Sequence, residues 1–422
     1  MGTVMDSKKG NQSNDDDLSR RGLLLVSCLG VVAFIGLALG GYGVLSQKPR
    51  SIINNPRFFD DDLREPFLTD DELLNLQINK IIREMSLEHK VSQLFIVRPE
   101  SVGGADATTQ TGEQVREYLK KRPVGGLVYF AQNLINAEQT TVMLANALRY
   151  GLESNGIPPF LCVDEEGGSV SRIGGNYGFD AVNVGDMANV GARNDPNIAS
   201  DIASYIAEYL KPLGFNVDFA PVCDIANNPY SNTMKQRSFG SDSEQVARMV
   251  QAQIGGFLES GMLCCAKHFP GIGSAVGDSH YTKITSYQSI EALHETELVP
   301  FKAAIRAGVP FIMVGHVCVP SVTGDNAPAS LSYNVVQKLL REELKYEGLI
   351  ITDSLEMGAV YDYCSDEESS VFALAAGCDI ALMPTNLESA ISCVLDAINR
   401  GEISEERINE SLRRILRIKL RL

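Results

Sequence analysis

Between Lys267 and His280 the chain gathers a cation, two imidazoles and a carboxylate, as Lys267-His268-Phe269-Pro270-Gly271 followed by Asp278-Ser279-His280. The whole chain has five histidines, so this density is unusual for it. Another acid, Asp353, ends the apolar run Gly348-Leu349-Ile350-Ile351-Thr352. Together these types can supply a nucleophile, an acid/base and ligands for hydroxyl groups.

The elements that must hold them follow a regular pattern. Short apolar runs occur at 93–97, 126–131, 159–164, 217–224, 262–268, 311–317, 349–353 and 380–383. Segments with helical spacing lie between most of them, such as 197–210, 243–258, 289–307 and 334–344. Strands alternating with helices predict an α/β fold, a (β/α)8 TIM-type barrel over 70–422. A doubly wound sheet fits less well, because no G-x-G-x-x-G turn follows the first strand. In such a barrel the active site forms at the C-terminal ends of the strands. Asp164, Asp224, Lys267, His268, His316 and Asp353 all fall at the ends of apolar runs.

Composition narrows the function. With 422 residues and 44% hydrophobic content the chain can bury a large core. A net charge of −16 argues against nucleic acid as a partner. An acidic surface without a legible apolar patch predicts a monomer. The nine cysteines include Cys162, Cys264, Cys265 and Cys318 inside apolar runs, where small buried hydrophobes are expected. No C-x-x-C pair suggests zinc or redox chemistry, and no metal or other cofactor is expected.

Residues 22–45 carry no charge, and about 20 apolar residues span a bilayer. Arg20 and Arg21 directly before them favour a cytoplasmic N-terminus. The expected order is a cytoplasmic tail (1–21), a transmembrane signal-anchor (22–45), a linker (46–69) and an extracytoplasmic catalytic domain (70–422). Ala38-Leu39-Gly40 as a cleavage site and Leu25-Val26-Ser27-Cys28 as a lipoprotein box are the competing readings.

Six motifs in order make the chain resemble glycoside hydrolase family 3 enzymes of the β-N-acetylhexosaminidase type. They are Val163-Asp164-Glu165-Glu166-Gly167-Gly168 with Arg172, the segment 214–224, Arg237-Ser238-Phe239-Gly240, Lys267-His268-Phe269-Pro270-Gly271, Asp278-Ser279-His280 and Thr352-Asp353-Ser354-Leu355-Glu356-Met357. The resemblance implies that Asp353 is the nucleophile and His280 the acid/base, oriented by Asp278. It implies that Asp164, Arg172, Arg237, Lys267 and His268 grip the non-reducing-end sugar. Arg172 and Arg237 could instead sit in structural ion pairs. Asp224 is expected to line the pocket or hold Arg237, and His316 to stand behind the site. His89 and His294 are expected to be structural.

The chemistry is consistent with those roles. A glycosyl ester on a carboxylate splits one hard substitution into two easier ones. An imidazole titrates near neutrality, and a carboxylate partner fixes its tautomer. One departure stands out: the family often reads Pro-Gly-His-Gly-Asp-Thr where this chain has Pro270-Gly271-Ile272-Gly273-Ser274-Ala275. The implied activity is a retaining exo-β-N-acetylglucosaminidase acting on cell-wall muropeptides or chitooligosaccharides. Alternatives are a family 3 β-glucosidase or β-xylosidase, a GlcNAc phosphorylase, and a glycan-binding barrel without turnover.

Overall fold

The computed structural model describes residues 69–228, 234–275, 279 and 281–422. The expected tail and membrane span, the linker up to residue 68, and both Asp278 and His280 lie outside the described residues. Among the described residues no helix is long and apolar enough to cross a membrane.

Each of the eight apolar runs contains a strand. They are β1 (Phe95–Val97), β2 (Gly126–Tyr129), β3 (Phe160–Val163), β4 (Val217–Asp218), β5 (Leu263–Phe269), β7 (Phe311–Val314), β9 (Leu349–Thr352) and β10 (Ala381–Leu382). They form one parallel sheet in the order β10-β1-β2-β3-β4-β5-β7-β9. A parallel bridge between Ile351 and Ile380 brings the two ends of this order together. The Thr352 hydroxyl accepts the Leu382 N–H at 2.9 Å across the same seam. The result is a sheet of TIM-barrel type with helices between its strands. Nearly every residue in these strands is buried, as expected where both faces are covered.

Local chemistry sets the helix ends. The helix Pro196–Leu213 starts with Asp195 accepting from the Asn197 N–H, with Pro196 in its first turn. It ends at Gly214, whose φ of 108° lies where glycine is favoured. The expected helix over 289–307 is in fact two, Ile290–Glu295 and Leu298–Arg306. Thr296 breaks them apart, and its hydroxyl bonds back to the Ala292 carbonyl at 2.7 Å. The run at 311–317 also divides. Val317–Cys318 (β8) leaves the main sheet to pair with Ile284–Thr285 (β6).

The C-terminal helix Glu405–Lys419 is locked on by charge. Asp379, fully buried, meets Arg341 at 2.5 Å and Arg414 at 3.0 Å and accepts from the Ser411 hydroxyl at 2.8 Å. It also accepts the Ile350 N–H at 3.0 Å, tying the helix to β9. Burial pushes this carboxyl up, but Arg341, Arg414 and Arg407 outweigh it and hold it below its usual range. Its stabilising contribution is therefore present above the unfolded-state pKa and is lost as pH falls through the lowered folded value. Asp379→Ala strands buried guanidinium charge and should cost about 3–5 kcal/mol in denaturant unfolding. A loss under about 1 kcal/mol would show that the cluster is solvated and weak.

The cysteines are as expected. Cys162, Cys264, Cys265 and Cys318 are buried, and the described cysteines are all free thiols.

Candidate active site

The residue directly after a sheet strand repeatedly faces one cavity. Arg98, Phe130, Asp164, Phe219, Asp353 and Met383 follow β1, β2, β3, β4, β9 and β10, and all line it. Lys267 and His268, within β5, line it too. The cavity measures about 340 Å³. That is near the lower end of ligand clefts, about 300–1,000 Å³, and suits one hexose-sized group.

One wall is a chain of alternating charges. The Lys267 ammonium lies 2.6 Å from Asp164 Oδ1 and 2.6 Å from Glu166 Oε1. Glu166 in turn accepts two bonds from Arg237, from Nε and Nη2, each 2.7 Å. Burial would push Glu166 up, but Lys267 and Arg237 hold it well below the usual carboxylate range. Burial would likewise lower Lys267, but Asp164 and Glu166 raise it above the usual lysine value. Glu166, Lys267 and Arg237 are therefore ionised and held in place. Arg237 is thus held in an ion pair while still lining the cavity.

Arg172 is placed by its loop. Glu165, fully buried, accepts the N–H groups of Arg172 (2.6 Å), Ile173 (2.9 Å) and Gly174 (2.8 Å), and the hydroxyls of Tyr209 (2.9 Å) and Ser171. The Arg172 guanidinium carbon stands 5.8 Å from the Phe130 ring centre. Its Nε is buried without a hydrogen-bond partner among the described residues, so it is available to a ligand. Arg98 lies 5.3 Å from the same ring and pairs with Glu356 at 2.5 Å.

Asp353 lines the same cavity. Its backbone N–H donates to the Val314 carbonyl at 2.8 Å, and Oδ1 accepts the Ser354 N–H at 2.8 Å. Burial would raise this carboxyl, but His268, His316, the Ser354 N–H and Lys267 together hold it below its usual range. It is an ionised carboxylate in a confined polar cavity, which is what a nucleophile for a carbon centre requires.

Asp224 departs from expectation, because it does not hold Arg237. It accepts from His268 instead, at Nδ1 (2.7 Å) and the backbone N–H (3.1 Å), and from the Ile272 N–H at 2.8 Å. This leaves His268 Nε2 as the ring nitrogen for a ligand. His316 stands behind Asp353 as expected. Its Nε2 donates to the Ser354 carbonyl at 2.8 Å and its Nδ1 meets the Ser330 hydroxyl at 2.7 Å. Burial lowers its pKa, which favours the neutral ring. His89 and His294 are outside the cavity, bonded to Lys121 O and to Lys302 and Glu343.

All of Asp164, Arg172, Arg237, Lys267, His268 and Asp353 thus meet in one cavity. Glu165, Glu166, Arg98 and Glu356 were not singled out by sequence. Three of them, Glu165, Glu166 and Glu356, stood inside the quoted motifs without a role, and Arg98 had no signal.

The description "Glycosyl hydrolase family 3 N terminal domain" matches residues 86–418. The chain belongs to glycoside hydrolase family 3. Among curated relatives, "Beta-hexosaminidase A" of Pseudoalteromonas piscicida is 30% identical over 75% of this chain and 56% of its own length. "Beta-hexosaminidase" of Stenotrophomonas maltophilia is 30% identical over 68% of this chain and 85% of its own. The solved family 3 beta-N-acetylglucosaminidase of Paenibacillus sp. str. FPU-7 superposes with a TM-score of 0.74 at 36% identity, covering 80% of this chain and 62% of that one. The chain thus spans little more than half of some family 3 relatives and most of others. Ile272 and Ser274 stand where a different family reading was expected from the sequence. Ile272 is buried against the cavity, and Ser274 Oγ lies 3.1 Å from Ser286 Oγ.

Proposed function

We propose that this family 3 glycoside hydrolase is a retaining exo-β-N-acetylhexosaminidase that removes terminal β-linked GlcNAc. The observation that carries the reading is the ionised Asp353 sharing a cavity of about 340 Å³ with the Asp164–Lys267–Glu166–Arg237 chain. Asp353 attacks C1, and the departing oxygen takes a proton from His280, held by Asp278. A water molecule, deprotonated by the same imidazole, then frees the sugar from Asp353. Lys267 and Asp164 bind sugar hydroxyls, Arg172 and His268 Nε2 add donors or acceptors, and Arg237 holds Glu166 in place. Met313, Met357 and Met383 offer an apolar surface to the sugar carbons and the acetamido methyl group.

The fuller reading places this domain, 70–422, as a monomeric (β/α)8 barrel outside the cytoplasm. It is anchored by 22–45 and fed by muropeptides or chitooligosaccharides. The charge-free run at 22–45 supports the anchor, and the relatives' names support the sugar.

The test compares initial rates on an aryl β-N-acetylglucosaminide and an aryl β-glucoside. The reading expects a preference of at least about 100-fold for the N-acetyl sugar, the size of one or two lost contacts in a dry site. Preference for the glucoside would overturn it. His280→Ala should slow poor leaving groups far more than activated aryl glycosides, by about 10²–10⁴-fold against a few-fold. Equal losses on both would remove His280 from the acid/base role.

A further inference from the structure

Glu297 is a fully buried carboxyl with no cation paired to it among the described residues. It follows the break at Thr296 and directly precedes the helix Leu298–Arg306. Neither of its oxygens makes a hydrogen bond of good geometry among the described residues, although the Ile225 amide and the Ser274 amide and hydroxyl face it. It does not line the cavity. Its carboxyl lies directly beneath the loop that leaves β5. A methyl group built on Gly271 would lie 2.7 Å from Oε2 and 3.1 Å from the carboxyl carbon. The same loop is fastened on its other side by Asp224, which takes the Ile272 N–H and both the ring and backbone N–H of His268.

We propose that Glu297 is a positioning residue whose carboxyl supports the Gly271–Ser274 loop and, through Asp224, the orientation of His268. The groups that face it are few. From β4's loop come Asp224 and the Ile225 amide, and from the β5 loop come the Ser274 amide and hydroxyl. Among these neighbours no cation counters its charge. Burial, and then the Asp224 charge, push its pKa up to about 8, and the Ser274 and Ile225 groups only partly oppose this. The folded pKa lies above the unfolded value, so ionisation is costly in the folded state. As pH rises through about 8, a second negative charge appears beside Asp224. That charge strains the carboxylate that holds His268, and the cavity loses its geometry.

This inference rests on the glycosidase reading for its kinetic readout. The experiment is the pH profile of kcat/KM on an aryl β-N-acetylglucosaminide for the full protein and for Glu297→Gln. The native protein should lose activity with an apparent pKa near 8. Glu297→Gln, which keeps the shape and removes the charge, should shift that limb upward by at least about one pH unit. An unmoved limb would overturn the proposal. Ser274→Ala is the second variant, for the case where glutamine is not tolerated. Removing the hydroxyl that opposes the shift should move the limb upward by a smaller amount, and no movement would count against it. Thermal unfolding separates this idea from the glycosidase reading. The native Tm should fall as pH rises from about 6 to 8.5 by more than the Tm of Glu297→Gln. Equal falls would overturn the role of Glu297 whether or not any sugar is cleaved.

Discussion

Asp353→Asn is expected to leave a folded protein whose turnover of an aryl β-N-acetylglucosaminide falls by about 10³–10⁵-fold. The fold should tolerate the change. Asn keeps an Oδ1 that can accept the Ser354 N–H, now 2.8 Å away, and keeps the side-chain volume. The chemistry should not tolerate it. An amide oxygen is a poor nucleophile, and its neutral charge cannot balance the positive charge that develops at C1. Because His268, His316, the Ser354 N–H and Lys267 overcome burial and hold Asp353 below its usual range, this carboxylate is ionised at neutral pH. The acidic limb of the pH profile should therefore not belong to Asp353. Measured kcat within about tenfold of the native value, with Tm unchanged, would remove Asp353 from the nucleophile's role.

The next largest effect is expected at Lys267. Lys267→Met keeps the length of an almost fully buried side chain but leaves Asp164 and Glu166 without their shared cation. Glu166 retains Arg237, whereas Asp164 has no other ion-pair partner among the described residues. Breaking a buried pair from one side costs about 3–5 kcal/mol, and much of that should appear in denaturant unfolding. Binding should suffer as well, since Asp164 would lose its fixed orientation. We expect kcat/KM to fall by at least about 10²-fold, the scale of a lost charge-assisted contact or two. Adding Asp164→Asn to Lys267→Met should restore part of the stability without restoring activity, because it removes the carboxylate left without a cation. A Lys267→Met protein as stable as the native one would mean that the wall is hydrated rather than dry.

The strands and the acids at their ends were legible because they depend on local pattern. An apolar run closed by Asp164 or Asp353 has the same reading wherever the rest of the chain goes. The partners of those acids depend on long-range approach. Lys267 meets Asp164 across 103 residues, and His268 meets Asp224 across 44. Nothing in the spacing says which cation takes which carboxylate, so Asp224 was expected to line the pocket or hold Arg237 and stands beside His268 instead. Glu165 and Glu166 are adjacent in sequence and equally acidic. Only the folded chain separates them, sending one into a ring of loop N–H groups and the other between Lys267 and Arg237. The split at Thr296 was hidden for a different reason. The apolar spacing of 289–307 continues through it, while the Thr296 hydroxyl competes locally for a backbone carbonyl. That break is also what leaves Glu297 under the loop.

The most direct test of the account is to trap the intermediate. The protein would be incubated with a slow fluorinated N-acetylglucosaminyl fluoride, then digested and mapped by mass spectrometry. The account predicts one sugar per chain, carried as an ester on Asp353. An adduct on another residue, or rapid turnover without any adduct and with inverted product, would contradict it.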